Sequence, residues 1–331
     1  MTDLSIIIVC YRGWERLNKC LEALALFSGE NFKTEVIIVD NNSGEEEIHN
    51  IEIRFPKFRF IYNEVNGGFA YGCNVGAGKA EGEFLLFLNP DTVASEQEVG
   101  KLLFSAKQNS DFTVVSCRQI NENGKENIVY GEFPSIHNLT GIQRAIYRQT
   151  IAHSLTENKS DPAQPNQEMK IIFPDWVSGS VILIKKEIYK KIGGFDEDFW
   201  MYYEDVDLCR RVRNSGGEIA YGSDIIIEHN HGGSSRINLK TTSITKTEVY
   251  ISRHVYISKH KNGFEKLLIQ TFLVLNNVLS GGIIAFIGLL LFFIPKVFSR
   301  TLIFCRLISY YAGSVFRLSW ISPRSVNFKK F

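Results

Sequence analysis

The run Phe84-Leu85-Leu86-Phe87-Leu88-Asn89-Pro90-Asp91 decides the fold. Five apolar residues without polar alternation read as a strand buried on both faces. An acid just beyond such a strand stands where an α/β sheet opens onto its ligand. Upstream, Leu4-Ser5-Ile6-Ile7-Ile8-Val9 and Val36-Ile37-Ile38-Val39 are strands of the same kind, and residues 58–62 are a third. Downstream, Thr113-Val114-Val115-Ser116, Val181-Ile182-Leu183-Ile184 and Ile225-Ile226-Ile227 continue the series. Leu17, Leu21 and Leu24 mark a helix over 14–27, and further helices are expected over 67–79, 93–108 and 205–214. Strands alternating with helices predict a parallel, doubly wound sheet. Residues 121–170 are polar and rich in turn formers, and read as an extended excursion.

The chain has 331 residues, 44% of them apolar, enough for a sizeable core. Its net charge of +1 hides an asymmetry. Residues 246–331 carry 12 Lys and Arg against two acids, Glu248 and Glu265, while residues 1–245 carry 25 basic and 34 acidic side chains. A basic tail on an acidic body points to an anionic surface as partner, not to nucleic acid. The six cysteines show no CxxC and no metal spacing, which fits core packing in a reducing compartment. The apolar run 4–9 is too short and strand-like for a secretory signal, so none is expected.

Residues 267–295 contain no charge over 29 positions and are flanked by Lys259, Lys261, Lys266, Lys296 and Arg300. That is long enough to span a bilayer. Gln270, Asn276, Asn277, Ser280, Gly281 and Gly282 interrupt it, which equally suits two short interfacial or re-entrant helices, or a core hairpin. The basic flanks favour contact with anionic lipid. The expected division is therefore 1–245 and a basic, apolar helical region 246–331.

Several familiar motifs fail. The segment 67–79 lacks GxGxxG, and Gly78-Lys79 is no P-loop, since Cys73 stands where the earlier glycine belongs and Ala80 follows the lysine. Neither GxSxG nor HExxH occurs. What remains is Glu204-Asp205-Val206-Asp207, three carboxylates behind the aromatic run Phe199-Trp200-Met201-Tyr202-Tyr203. Acids among aromatics supply a base, while Asp91 supplies a site for metal-bound phosphate.

The stretches 5–12, 39–43, 66–74, 88–91, 177–179, 193–197, 203–207 and 229–234 resemble, in order and spacing, the family 2 glycosyltransferases, more narrowly the bacterial rhamnosyltransferase type. The resemblance covers roughly residues 4–236. It implies the GT-A nucleotide-sugar-binding fold: α/β, with a mostly parallel central sheet, here followed by a helical, membrane-associating C-terminal region. It implies an inverting transfer of a sugar, L-rhamnose from dTDP-L-rhamnose, to a hydroxyl of a saccharide acceptor linked to polyprenyl diphosphate at the cytoplasmic face of the cell membrane. UDP-galactose, UDP-galactofuranose and UDP-GlcNAc users share these motifs. A processive synthase would carry QxxRW, which is absent. A catalytically idle glycan-binding member and a nucleotidyltransferase are the rivals from other classes. The latter needs a basic phosphate-gripping loop that Arg12 alone does not supply.

The resemblance assigns roles residue by residue. Asp40 falls where the family contacts the base, and a carboxylate can accept the N3–H of thymine or uracil; the plain alternative is an Asx turn after a strand, and Asn42 beside it also falls to the nucleotide sugar. Tyr11 shapes the base pocket, and Glu15 reaches the ribose or forms a surface pair. Gly67 and Gly68 let the backbone approach the nucleotide sugar. Asn74 opens the next helix and bonds ribose or phosphate, or caps. Asn89-Pro90-Asp91 stands for the family's metal motif with Asn in place of the first acid. Asp91 then holds Mg2+ or Mn2+ across the diphosphate, with helix capping as its alternative. His229 or His231 completes the metal site, with His229 favoured. Asp205 matches the catalytic base, and Glu204 tunes it or holds acceptor hydroxyls. Asp207 is read as an ion pair with Arg211. Trp176, Gly179 and Trp200 belong to the acceptor side, the tryptophans stacking on sugar or simply packing.

Overall fold

In the computed structural model, which describes residues 2–44, 46–135, 138, 170–230 and 238–329, the chain opens on β1 (Leu4–Cys10), buried along its whole length. It continues through α1 (Trp14–Ala25), β2 (Thr34–Asp40), α2 (Glu47–Arg54), β3 (Arg59–Tyr62), α3 (Gly68–Lys79), β4 (Phe84–Leu88) and β5 (Thr92–Val93). Next come α4 (Glu96–Gln108), β6 (Phe112–Ile120), β7 (Tyr130–Gly131), β8 (Ile171–Ile172), β9 (Trp176–Val177), β10 (Val181–Lys185) and α5 (Lys186–Lys191). The last elements are α6 (Glu204–Asn214), β11 (Glu218–His229), α7 (Leu239–His260), α8 (Gly263–Leu290) and α9 (Pro295–Arg317).

Among the described residues the main sheet runs β3-β2-β1-β4-β10-β6-β11-β5, with β8 beside β11, and β7 pairs with β9 in a small second sheet. The first four strands are parallel in the expected register, Ile6 opposite Val36 on one side and Leu86 on the other. β10 departs from that expectation. It lies antiparallel to both β4 and β6, so the sheet is mixed rather than uniformly parallel. A run buried on both faces has no polar alternation, and its sequence carries no direction.

The sheet is covered on both faces. One core takes Leu17, Leu21 and Leu24 of α1 and Val99, Leu102 and Leu103 of α4 against Ile6, Ile8 and Leu86. The other takes Ala70, Cys73 and Ala77 of α3 and Leu208, Cys209 and Val212 of α6 against Ile7, Phe87 and Ile182. Five cysteines are buried and unpaired, and Cys305 is exposed.

Two boundaries differ from the reading of the sequence. The helix expected from residue 93 begins at Glu96, because Ser95 accepts from the Glu98 N–H and caps it. Asp91 is therefore not that helix's cap. The division at 245/246 falls inside the continuous helix α7. Of the excursion 121–170, residues 139–169 lie outside the described residues, and the rest includes β7.

Helices α7, α8 and α9 pack together through Ile251, Val255, Ile269, Leu273, Ile303 and Leu307, and onto Phe199 and Val206. α8 is one unbroken helix of 28 residues. Gly281 and Gly282 do not interrupt it; they are where Phe304 of α9 packs, with ring carbons 3.2 and 3.5 Å from where their Cβ atoms would stand. The chain reverses at 291–294 instead, and Pro295 opens α9, where its missing N–H costs nothing. One face of α8 buries Ile269, Leu273 and Asn277, while Leu279, Ile283, Phe286 and Leu290 are exposed. By length and composition α8 is the one helix among the described residues able to cross a membrane, and only 22% of its most apolar window is buried.

Candidate functional site

A cleft of about 800 Å³ opens beyond the ends of β1 and β4. Tyr11, Asn41, Gly68, Asn89, Asp91, Trp176, Gly179, Trp200, Glu204, Asp205 and His229 all line it. The two acids far apart in sequence, Asp91 and Asp205, thus share one cavity.

Strand pairing brings Asp91 to His229. β5 pairs antiparallel with the end of β11, setting Thr92 opposite His229, and the Asn230 N–H donates to the Asp91 carbonyl at 2.9 Å. His229 Nε2 then lies 3.2 Å from Asp91 Oδ1 and 3.5 Å from Asn89 Nδ2. The other ring nitrogen, Nδ1, lies 2.7 Å from Gln119 Oε1. That oxygen only accepts, and it also receives the Ser180 hydroxyl at 2.8 Å. With Nδ1 donating there, the neutral ring presents its Nε2 lone pair to the carboxylate.

Two acceptors facing each other at 3.2 Å suit a cation. Adjacent ligands of an octahedral ion bound at about 2.1 Å stand roughly 3.0 Å apart, so the pair fits Mg2+ or Mn2+. Among the described residues no cluster of three or more His, Cys, Asp or Glu offers a fuller site, so phosphate and water would supply the remaining ligands. His231 lies outside the described residues. Arg16 of α1 stands 3.7 Å from Asp91 Oδ2 and donates to the Asn230 carbonyl, adding a positive charge at this end.

Asp205 opens the opposite wall. Its Oδ2 accepts from the Gly179 N–H and its Oδ1 from the Val206 N–H, both at 2.8 Å. Burial raises the Asp205 carboxyl above its ordinary value, and those two N–H groups pull it back down. Glu204 is buried, and among the described residues its Oε2 has no hydrogen-bond partner. Burial, then the Asp205 charge, push Glu204 far above the usual carboxylate range. Of the two, Glu204 holds a proton more tightly, and Asp205, with two N–H donors, is the better placed to carry charge. Asp207 is buried away from the cleft, held by Arg211 at 2.7 Å as expected and also by His260 of α7 at 2.6 Å.

The loop that aims these acids is strained. Tyr202 and Tyr203 have φ of 71° and 68°, a left-handed pair of non-glycine residues. Neighbours hold it in place. The Trp200 carbonyl accepts from the Phe69 N–H at 2.9 Å, and Trp200 Nε1 donates to the Asn66 carbonyl at 3.1 Å. The Met201 carbonyl accepts from Ser252 at 2.9 Å. Trp176 is fixed by an Nε1 bond of 2.8 Å to the Glu132 carbonyl.

Other expectations find different places. Asp40 forms the Asx turn: its carboxylate accepts from the Ser43 N–H and hydroxyl, and Ser43 Oγ in turn accepts from the Arg12 N–H at 2.9 Å. Asn42 bonds the Glu64 carbonyl and does not line the cleft. Glu15 is exposed, pairs with Lys19 at 3.0 Å, and does not line the cleft. Asn74 does not open a helix. It lies inside α3 and ties down Phe195, Glu197 and Tyr189. Gly67 packs against Tyr71 and Val326. At Gly68, φ is 89° and a Cβ would fall 1.9 Å from the Trp200 carbonyl, so its partner in close approach is this loop. The cleft also takes Asn41, Arg16, Arg253 and Arg324, which the sequence reading missed. A 3.6-residue pattern along α7 marks Arg253 with Val249 and Thr245. Nothing local marks Arg324.

Comparison with known proteins points the same way. The model of the family "Glycosyl transferase family 2" matches residues 5–169, and that of the "N-terminal domain of galactosyltransferase" matches residues 166–231. The low-salt glycan biosynthesis hexosyltransferase Agl10 of Haloferax volcanii is 26% identical over 70% of this chain and 68% of its own. The N-acetylglucosaminyl-diphospho-decaprenol L-rhamnosyltransferase of Mycobacterium tuberculosis is 23% identical over 71% and 78%. The crystal structure of GalNAc-T7 with UDP, GalNAc and Mn2+ superposes with a TM-score of 0.53 at 15% identity, over 76% of this chain and 48% of that longer one. The chain therefore belongs to the family 2 glycosyltransferases, and its mixed α/β sheet is of the GT-A kind.

Proposed function

We propose that the protein transfers L-rhamnose from dTDP-L-rhamnose, with inversion, to a hydroxyl of a lipid-linked saccharide. The observation that carries this reading is the single cleft with a charged, N–H-held Asp205 on one wall and the Asp91–His229 pair on the other. The nucleotide occupies the end formed by Tyr11, Asn41 and Asn66, braced from beneath by the Asp40–Ser43–Arg12 chain. Asp91 and His229 would hold a divalent ion, with Asn89 beside them and Arg16 adding positive charge. When bound, such an ion neutralises charge on the departing diphosphate.

The acceptor hydroxyl lies against Asp205, which takes its proton as the oxygen bonds to the anomeric carbon. The bond from that carbon to the diphosphate breaks, and the nucleoside diphosphate leaves with the electron pair. A base opposite the leaving group gives inversion in one displacement. Neutral Glu204 donates to a second acceptor oxygen through its otherwise unpartnered end. Trp176 and Trp200 offer their faces to sugar rings.

The name of the mycobacterial relative supports rhamnose and a polyprenyl diphosphate acceptor, and the exposed apolar face of α8 supports a membrane-bound one on the cytoplasmic leaflet. The test is a thermal-shift screen of dTDP-L-rhamnose, UDP-galactose, UDP-galactofuranose and UDP-GlcNAc, each with and without Mn2+. A ligand at a hundred times its Kd stabilises by about 2.7 kcal/mol. The expected result is the largest, Mn2+-dependent shift with dTDP-L-rhamnose. A larger shift with a UDP-sugar moves the donor to that class.

A further inference from the structure

Two arginines reach the cleft from the C-terminal region, and sugar transfer as described uses neither. α7 turns Thr241, Thr245, Val249 and Arg253 toward the cleft, one residue per turn, so one helix face makes that wall. Arg253 Nε donates to Tyr203 OH at 3.1 Å, and its guanidinium lies 5.7 Å from the Tyr250 ring. Among the described residues no carboxylate stands within ion-pair range of Arg253.

Arg324 lies on residues 319–329, which return over the catalytic half. Ser325 Oγ donates to the Glu197 carbonyl at 2.7 Å, and Asn327 Nδ2 to Asp198 at 2.9 Å. The Arg324 guanidinium stands 5.3 Å from the Trp200 ring. Its carboxylate neighbour Glu248 is 3.8 Å away, and burial pushes that acid up to about 7, so it offsets only part of the arginine's charge.

Both guanidiniums are thus tethered to residues 200–203, the loop directly before Glu204 and Asp205. They flank the approach to the base, whereas Arg16 serves the Asp91 end. α7 leads on to the exposed apolar helix α8, which starts ten residues past Arg253, about 15 Å of helical rise. A lipid-anchored acceptor with its alcohol at Asp205 and its lipid on α8 must carry its linking group past these two charges.

We propose that Arg253 and Arg324 form an anion subsite for the phosphate that joins the acceptor's saccharide to its lipid. The proposal rests on the reading of the acceptor as a lipid-linked saccharide. Paired guanidiniums suit phosphate, which they grip through several charged hydrogen bonds.

The test measures binding of undecyl diphosphate to the full chain in detergent, with the donor site filled by saturating dTDP, or in a second run UDP, and Mn2+. The wild type should bind, Arg253→Gln and Arg324→Gln should each weaken binding about tenfold or more, and the lysine variants should recover part of it. Binding of the nucleoside diphosphate should be the same in all of them. Absence of binding by the wild type overturns the subsite. So does an equal loss of nucleotide binding in the variants, which would put both arginines on the donor side. Inorganic pyrophosphate binding as tightly as undecyl diphosphate overturns the lipid-linked assignment. Transfer to a phosphate-free undecyl glycoside of N-acetylglucosamine needs Asp205 but not the subsite, so it tests the sugar-transfer reading separately.

Discussion

Asp205 and Glu204 are neighbours in sequence, yet Glu204 holds a proton more tightly, and the cause is local. Two backbone N–H groups reach Asp205, while no donor reaches the far oxygen of Glu204. An isolated buried carboxyl next to a charged one keeps its proton. Replacing Asp205 by Asn should cut turnover about a thousandfold while nucleotide binding is retained, because only the proton acceptor is lost. The pH dependence has a definite sign. Burial raises Asp205, so the acid limb of kcat/KM should lie above the ordinary aspartate value of 3.8, activity falling as pH drops through it. A limb at or below that value would show that the base is another group. Gln119 acts one step back. It orients His229 through Nδ1, and losing such a partner weakens metal binding by about 10–100-fold. Gln119→Leu should raise the Mn2+ concentration for half-maximal activity by that factor, with little change in saturated turnover. An unchanged Mn2+ requirement would remove His229 from the ion's ligands.

At the scale of elements, α7 and the returning C-terminal segment are joined by a buried carboxyl. Glu248 of α7 accepts from the Ser322 hydroxyl at 2.8 Å, and burial raises it from 4.5 to about 7. Its neutral form is favoured in the folded state, so its contribution to stability is complete below about 4.5 and is lost as pH rises through about 7. The loss amounts to about 3 kcal/mol. Glu248→Gln stays neutral, so its stability relative to wild type should climb by about that much between pH 4 and pH 8 in paired melting curves. Parallel curves for the two proteins would contradict it. The same elements mark what sequence can reveal. Strands β1, β2 and β4 were legible because four to six buried apolar residues in a short run admit little else. Asp91 and Asp205 were legible because each follows a recognisable run in a recognisable order. The direction of β10 was not, since its pattern is symmetric. The partners of Asn74, Glu15 and Gly68 in the fold, Phe195, Lys19 and Trp200, were not legible, because they follow from helix phase or from long-range return of the chain. Arg324 is the extreme case, reaching Trp200 across 124 positions of sequence.

For the whole molecule, charge and apolar surface are laid out in one sense. The apolar side of α8 exposes Leu279 at 66%, Ile283 at 67% and Phe286 at 63%, a surface that a soluble monomer has no use for at this size. Its other side is tied down by Ile269, Leu273 and Asn277 on α7 and α9, so the helix is held along its length against protein. That arrangement supports a helix lying in the membrane interface, with Lys261, Lys266, Lys296 and Arg300 at its ends meeting anionic headgroups. On the proposed reading of a lipid-linked acceptor, a helix so placed would set the cleft at a fixed height above the lipid, with the acceptor's tail in the bilayer. The double variant Ile283→Glu, Phe286→Glu leaves the buried side intact, so melting temperature should move little. Its partition onto vesicles containing anionic phospholipid should nevertheless fall more than tenfold, because two large apolar side chains are withdrawn and two like charges face the headgroups. Transfer to a water-soluble acceptor should persist in this variant, while transfer to an acceptor embedded in vesicles should drop with the partition. Undiminished vesicle binding would locate the membrane contact elsewhere on the chain and sever the link drawn between α8 and the acceptor's lipid.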